Sequence, residues 1–144
     1  MPEDTNYGLN TQASTTELPA PKLEYKPVFP KNYRPNIGLI GCGGITVNHL
    51  TAYKEDGLNV TGLCDLNEEA IAARQQEFYP SAKCYTDYHE LLADEKIEVV
   101  DIALHPAPRA AAIEAALNAG KHVLSQKPFA LNIDIASGLT DLAD

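Results

Sequence analysis

Basic side chains are scarce in this chain: 11 Lys and Arg stand against 20 Asp and Glu, for a net charge of −9. Phosphate contacts require clustered Lys and Arg, so no nucleic-acid partner is expected, and the acidity reads as a solubility feature. Cysteine is sparse as well. Cys42, Cys64 and Cys84 are odd in number and show no Cys-x-x-Cys spacing, which argues against a disulfide framework or a metal site. They read as reduced, buried thiols of a cytoplasmic protein. No apolar run is long enough to span a membrane, and the first residues lack the apolar stretch of a secretory signal. Internal repeats are also lacking.

Proline is unevenly spread. Six of the ten, Pro2, Pro19, Pro21, Pro27, Pro30 and Pro35, fall in residues 1–35, where four acidic and four basic side chains cancel. This stretch reads as an extended arm without a core of its own. The whole net charge then lies in residues 36–144, a length suited to one domain.

From residue 36 the pattern alternates strand and helix. Residues 36–40 form a short apolar run ending at Gly41, and a helix is expected from Gly44 to about Asp56 with Ile45, Leu50 and Tyr53 at helical spacing. A second strand over 58–64 ends at Asp65; Asn67 is placed to cap the next helix, with Glu68 and Glu69 at its positive end. Residues 83–85 are a candidate short strand, and Asp87-x-x-Glu90 has the form of a capping box. The run 98–104 is apolar nearly throughout, as expected of a parallel strand covered on both faces. Pro106 and Pro108 open an alanine-rich helix that Gly120 stops, a last strand ends near Lys127, and a final helix starts around Asn132. This order predicts an α/β fold, a doubly wound parallel sheet with right-handed crossovers.

Gly41-Cys42-Gly43-Gly44-Ile45-Thr46 follows a strand and opens a helix, the context a dinucleotide fingerprint requires. Gly41 would make the tight turn, and Gly43 would let a pyrophosphate reach the helix N-terminus. The third fingerprint position holds Thr46 instead of Gly or Ala, which predicts slightly looser helix–strand packing. Asp65 stands roughly 20 residues beyond the loop, the spacing at which an acidic side chain meets an adenosine ribose. A carboxylate there would repel a 2′-phosphate, favouring NAD over NADP. Loop and carboxylate together indicate an adenosine-bearing cofactor, which leaves S-adenosylmethionine methyltransferases open beside dehydrogenases. Lys127, fixed by Pro128 at the carboxyl end of a parallel strand, stands where open α/β sheets bind ligands. A methyltransferase does not account for it.

Residues 116–128, Ala-Leu-Asn-Ala-Gly-Lys-His-Val-Leu-Ser-Gln-Lys-Pro, closely resemble the Ala-Leu-x-Ala-Gly-Lys-His-Val-x-x-Glu-Lys-Pro signature of the Gfo/Idh/MocA oxidoreductases. With the glycine loop, Asp65 and the Tyr85-x-Asp87 stretch, the resemblance covers residues 36–144. It implies a Rossmann-like nucleotide domain in which Gly41, Gly43, Gly44 and Ile45 hold the pyrophosphate and Asp65 the ribose. Lys127, the candidate catalytic residue, would lie against the nicotinamide and a sugar or polyol substrate, with His105, Gln126 and Pro128 also at the cofactor and a cis peptide before Pro128. There are two departures. Gln126 replaces the usual Glu, removing a carboxylate that could pair with Lys127, and His105-Pro106-Ala107-Pro108-Arg109 is about one residue shorter than the family's run. Arg109 takes the place of a histidine near the cofactor, where it is expected to touch phosphate or substrate, and His105 is a candidate polar group at its strand end. His49, His89 and His122 read as packing or surface residues. Relatives complete their active sites from a second, α+β domain. The resemblance therefore implies the cofactor-binding portion of an oxidoreductase, monomeric or weakly associated and of little activity alone. The reading from another class is a non-catalytic NAD-binding module or partner subunit.

Overall fold

In the computed structural model, which describes residues 21–23 and 28–144, strands and helices alternate along the chain. They are β1 (Asn36–Ile40), α1 (Thr46–Glu55), β2 (Asn59–Cys64), α2 (Glu68–Glu77), β3 (Lys83–Tyr85), α3 (Tyr88–Leu92), β4 (Val99–Ile102), α4 (Pro106–Asn118), β5 (His122–Ser125) and α5 (Ile133–Ala143). The strands form one parallel sheet in the order β3-β2-β1-β4-β5, the doubly wound Rossmann-like arrangement expected from the sequence. Its strand order reverses between β1 and β4, and the carboxyl ends of these two strands frame a crevice.

Strand alternation divides the core in two. Ile37 and Leu39 of β1 join Leu50, Val60, Leu63 and Ile71 on the side of α1 and α2. Ile40 joins Val100, Ile102, Leu91, Ile113 and Ala116 on the side of α3 and α4. On that second face Gly38 and Gly62 are register partners, because the pairing of β1 with β2 skips Thr61. Side by side they leave a bare patch of sheet. A Cβ on Gly38 would stand 2.8 Å from Leu91 Cδ2, and one on Gly62 would stand 2.8 Å from Ile97 Cδ1. The short helix α3 can therefore sit directly on the sheet.

Local signals place the helix ends. Asn67 Oδ1 accepts from the amides of Glu69 and Ala70, and Asn132 Oδ1 accepts from Ile135 N. Asp87 caps α3 through His89 N at 2.8 Å, while among the described residues Glu90 does not complete the reciprocal half of a capping box. Helix α1 starts at Thr46, two residues later than expected, because Gly43 and Gly44 stay in the turn. Strand β4 is shorter than the apolar run, since the chain turns away after Ala103 N donates to Ile40 O.

Most of the expected arm over residues 1–35 lies outside the described residues. Its last part is held by Tyr33, whose hydroxyl donates to Glu98 Oε2 at 2.9 Å. Glu98 precedes β4, so this anchor lies at the amino end of the sheet, opposite the crevice.

The cysteines divide unequally. Cys42 and Cys64 are buried, and burial, reinforced by the nearby Asp65 carboxylate, pushes both thiols up to about 12. Cys84 is exposed, contrary to the expectation for all three, because it lies on the edge strand β3, although partial burial still raises its thiol somewhat. A thiolate is the reactive form. Titration with Ellman's reagent at neutral pH is expected to find one reactive thiol in the native protein and all three in denaturant. Rapid reaction of a second native thiol would contradict this core.

Candidate functional site

The turn after β1 is shaped by its backbone. Gly41 adopts φ +97, and a Cβ there would stand 2.8 Å from the carbonyl oxygen of Ala103, so this position requires glycine. Gly41 N donates to Cys64 O at 2.7 Å, and Cys42 N donates to Asp65 Oδ2 at 2.7 Å. The other oxygen of Asp65 accepts from Asn67 N at 2.9 Å. Asp65 thus pins the glycine loop to the end of β2, besides standing at the ribose position of the sequence motif.

Beyond Cys42 the loop opens. A Cβ on Gly43 or Gly44 would meet nothing within 4 Å. Among the described residues the amides of Gly43, Gly44 and Ile45 donate to no protein group. Ile45 gives α1 no side-chain cap, and the first turn carries no acidic residue. A helix N-terminus with free amides and no neutralising carboxylate is suited to an anion. Thr46 is fully buried and its hydroxyl donates to Gly43 O at 2.6 Å, so the third fingerprint position is polar and satisfied.

Gly43, Gly44 and Ile45 face His105, Arg109 and Lys127 across a cavity of about 400 Å³ at the strand-order reversal. A second, mainly apolar cavity of about 300 Å³ adjoins Asp65 and is lined by Ile40, Leu66, Tyr88, Leu104 and Pro108. The sequence-predicted residues are therefore gathered at one end of the sheet, although Asp65 belongs to the second cavity. Lys127 is exposed, and among the described residues its ammonium pairs with no group. Its peptide bond to Pro128 is cis, as expected. His105 is the N-cap residue of α4 without making a side-chain cap, which leaves its ring on the cavity.

Arg109 departs from expectation. It is 3% exposed, and its guanidinium donates to backbone carbonyls: Nε to Leu104 O at 3.0 Å, Nη2 to the same oxygen, and Nη1 to Gln126 O at 2.8 Å and to Pro128 O. Burial lowers its pKa from the ordinary arginine value. Arg109 borders the cavity, yet its donors are occupied in joining the turn after β4 to the segment after β5, where contact with phosphate or substrate was expected.

Two polar residues in this region were not recognised from sequence. Asp101 lies inside β4 and is 1% exposed, facing α1. Its Oδ2 accepts from Tyr53 OH at 2.8 Å and lies 2.7 Å from His49 Nδ1. Burial and the Asp101 carboxylate push the Tyr53 phenol above its ordinary pKa. His49, expected to be a packing or surface residue, is thus bound to a buried carboxylate. The readable signal was an aspartate in an otherwise apolar strand, with two possible partners spaced i, i+4 on the adjacent helix.

Comparison with known proteins agrees with this geometry. Residues 35–144 match the Gfo/Idh/MocA oxidoreductase family, NAD-binding Rossmann fold. D-apiose dehydrogenase of Paraburkholderia graminis is 38% identical over 96 residues, covering 66% of this chain and 25% of that protein. Myo-inositol dehydrogenase from Lactobacillus casei, solved with NAD(H) and myo-inositol, superposes with a TM-score of 0.72 at 27% identity, over 76% of this chain and 33% of that one. A 3-ketoreductase from Actinomadura kijaniata, solved with NADP and TDP-benzene, gives a TM-score of 0.71 at 27% identity, over 77% of this chain and 34% of that one. The chain thus spans about a third or less of the length of each of these relatives.

The bonds of Arg109 lead to a prediction. Lysine keeps the charge but cannot reach three carbonyls on two segments, so Arg109→Lys is expected to destabilise the protein by about 1–3 kcal/mol. Urea unfolding measures the loss. Unchanged stability would mean that the guanidinium is not what joins these segments.

Proposed function

The chain belongs to the Gfo/Idh/MocA oxidoreductases with an NAD-binding Rossmann fold, and from that premise we propose that it holds the cofactor of an enzyme acting on a sugar or polyol. The reaction is hydride transfer, oxidising a hydroxyl or reducing the corresponding ketone. The observation that carries this reading is one cavity lined by both the open glycine loop and Lys127.

The residues fit a nicotinamide dinucleotide. The free amides of Gly43, Gly44 and Ile45 suit the pyrophosphate, with Gly41 setting the turn that presents them. Asp65 retains unused lone pairs for the adenosine ribose, and the apolar cavity beside it suits the adenine ring. A carboxylate at that position disfavours a 2′-phosphate, which supports NAD over NADP.

Lys127 and His105 are ionisable side chains on the cavity that, among the described residues, make no side-chain bond to the backbone. When bound, the nicotinamide supplies the hydride acceptor or donor. Lys127 would hold the reacting oxygen of the substrate and stabilise the negative charge it carries as an alkoxide, once the hydroxyl proton has left in oxidation or as hydride reaches the carbonyl carbon in reduction. His105 meets the cofactor or substrate at the end of β4. Gln126 and Pro128 set the backbone on either side of Lys127. Arg109 acts beneath them by holding that segment against the β4 turn.

Fluorescence titration of the purified chain with NADH and, in parallel, NADPH tests the proposal. Saturable binding that favours NADH is expected, and Asp65→Ala is expected to weaken it about 10-fold or more, as fits a lost hydrogen bond to a charged acceptor. Equal affinity for the two cofactors would remove Asp65 as the selector. Absence of binding by a folded chain would overturn the cofactor-holding role.

A further inference from the structure

A line of hydrogen bonds runs from the interior of β4 to the backbone of Lys127. Tyr53 OH and His49 Nδ1 both meet Asp101 Oδ2, at 2.8 and 2.7 Å. His49 Nε2 lies 3.0 Å from Gln126 Nε2, and Gln126 Oε1 accepts from Lys127 N at 2.8 Å. Every link is in place with protein groups alone. From this geometry we infer that Gln126 holds His49 as the neutral tautomer protonated on Nδ1, and that the line Asp101–His49–Gln126 positions Lys127.

The polarity follows from one fixed end. A backbone N–H can only donate, so the Gln126 atom facing Lys127 N must be the carbonyl oxygen. That places the Gln126 amide NH2, also only a donor, against His49 Nε2. Nε2 must then carry a lone pair, and the ring proton sits on Nδ1, where it donates to Asp101. Turning the Gln126 amide over would oppose two donors at Lys127 and break the line. Each member has one allowed orientation, and the last fixes the backbone from which the Lys127 side chain leaves.

The residue type at position 126 therefore sets the charge of the ring. A glutamate in the same rotamer could still accept from Lys127 N, but it has no proton to offer His49. Nε2 would have to bring a second proton, making the ring a cation between two carboxylates. Gln126, the departure noted in the signature, thus accompanies a neutral His49. Gln126 and His49 are positioning residues, acting through the Lys127 backbone. The meaning of the line for catalysis rests on the cofactor-holding role of the cleft, whereas its polarity does not.

The test is nitrogen-15 NMR of the uniformly labelled chain at neutral pH. Long-range proton–nitrogen correlations distinguish the two neutral tautomers from the doubly protonated ring, and His49→Asn identifies the His49 signals by their loss. The wild-type ring is expected to carry its proton on Nδ1 alone. A proton on Nε2, alone or in addition, overturns the inference without the need for any variant. Gln126→Glu is expected to add the second proton, and a ring that stays neutral in the folded variant overturns the role of Gln126. Gln126→Leu is expected to speed hydrogen exchange at the Lys127 amide by about 10-fold or more relative to wild type. An unchanged rate in the folded variant overturns the positioning role. NADH titration of the same samples separates the two readings. Binding with the wrong tautomer sinks the line and spares the cofactor role, and the right tautomer without binding does the reverse.

Discussion

A carboxylate inside a parallel sheet gives up its water, and unless hydrogen bonds replace that water the cost is several kcal/mol. Asp101 meets this constraint at Oδ2, by drawing two side chains from one helix, one turn apart, while its Oδ1 is buried without a partner among the described residues. Helix α1 buries Thr46 and Leu50 fully and packs Val47 and Tyr53 partly against the same core. Its seat on the sheet is set by the demand of one anion as well as by apolar packing. Because the N-terminus of α1 faces the crevice, the aim of the loop amides follows from a carboxylate on a different strand.

Arg109 makes the matching arrangement with the opposite charge. Its guanidinium is buried where the chain leaves β4 and β5, and its partners are backbone carbonyls that no helix or strand pairs. A planar cation with five donors can meet several such oxygens at once, which an ammonium cannot do. The open end of the sheet is thus braced from two sides. The anion ties α1 to β4, and the cation ties the β4 turn to the segment carrying Lys127. The exposed side chain of Lys127 projects from a backbone held at several points.

Much of this architecture was legible because it depends on near neighbours. Alternating apolar runs, the caps Asn67, Asp87 and Asn132, and the glycines that end elements act over a few residues, and the observed elements follow them. That the glycine loop and Lys127 would border one cavity was legible, because the strand order brings their positions together. The work of Arg109 was not, since two of its three oxygens belong to backbone 17 and 19 residues further on, and backbone carbonyls leave no mark in a sequence. His49 was misread for a related reason. Its partner stands 52 residues away, and a histidine on an amphipathic helix has no local feature to mark it as bound. Reading Asp101 as an unmet demand within an apolar strand would have led to it.

The bond between Cys42 N and Asp65 shapes the glycine turn, and on the proposed function the same side chain also meets the sugar of an adenosine, which gives it two duties. Recognition and architecture are therefore not separable at this position. A lineage or an engineer seeking to exchange one dinucleotide for its phosphorylated form could not do so by altering Asp65 alone. The same exchange would free the Cys42 amide and slacken the turn, so a new anchor would have to arise together with the new preference.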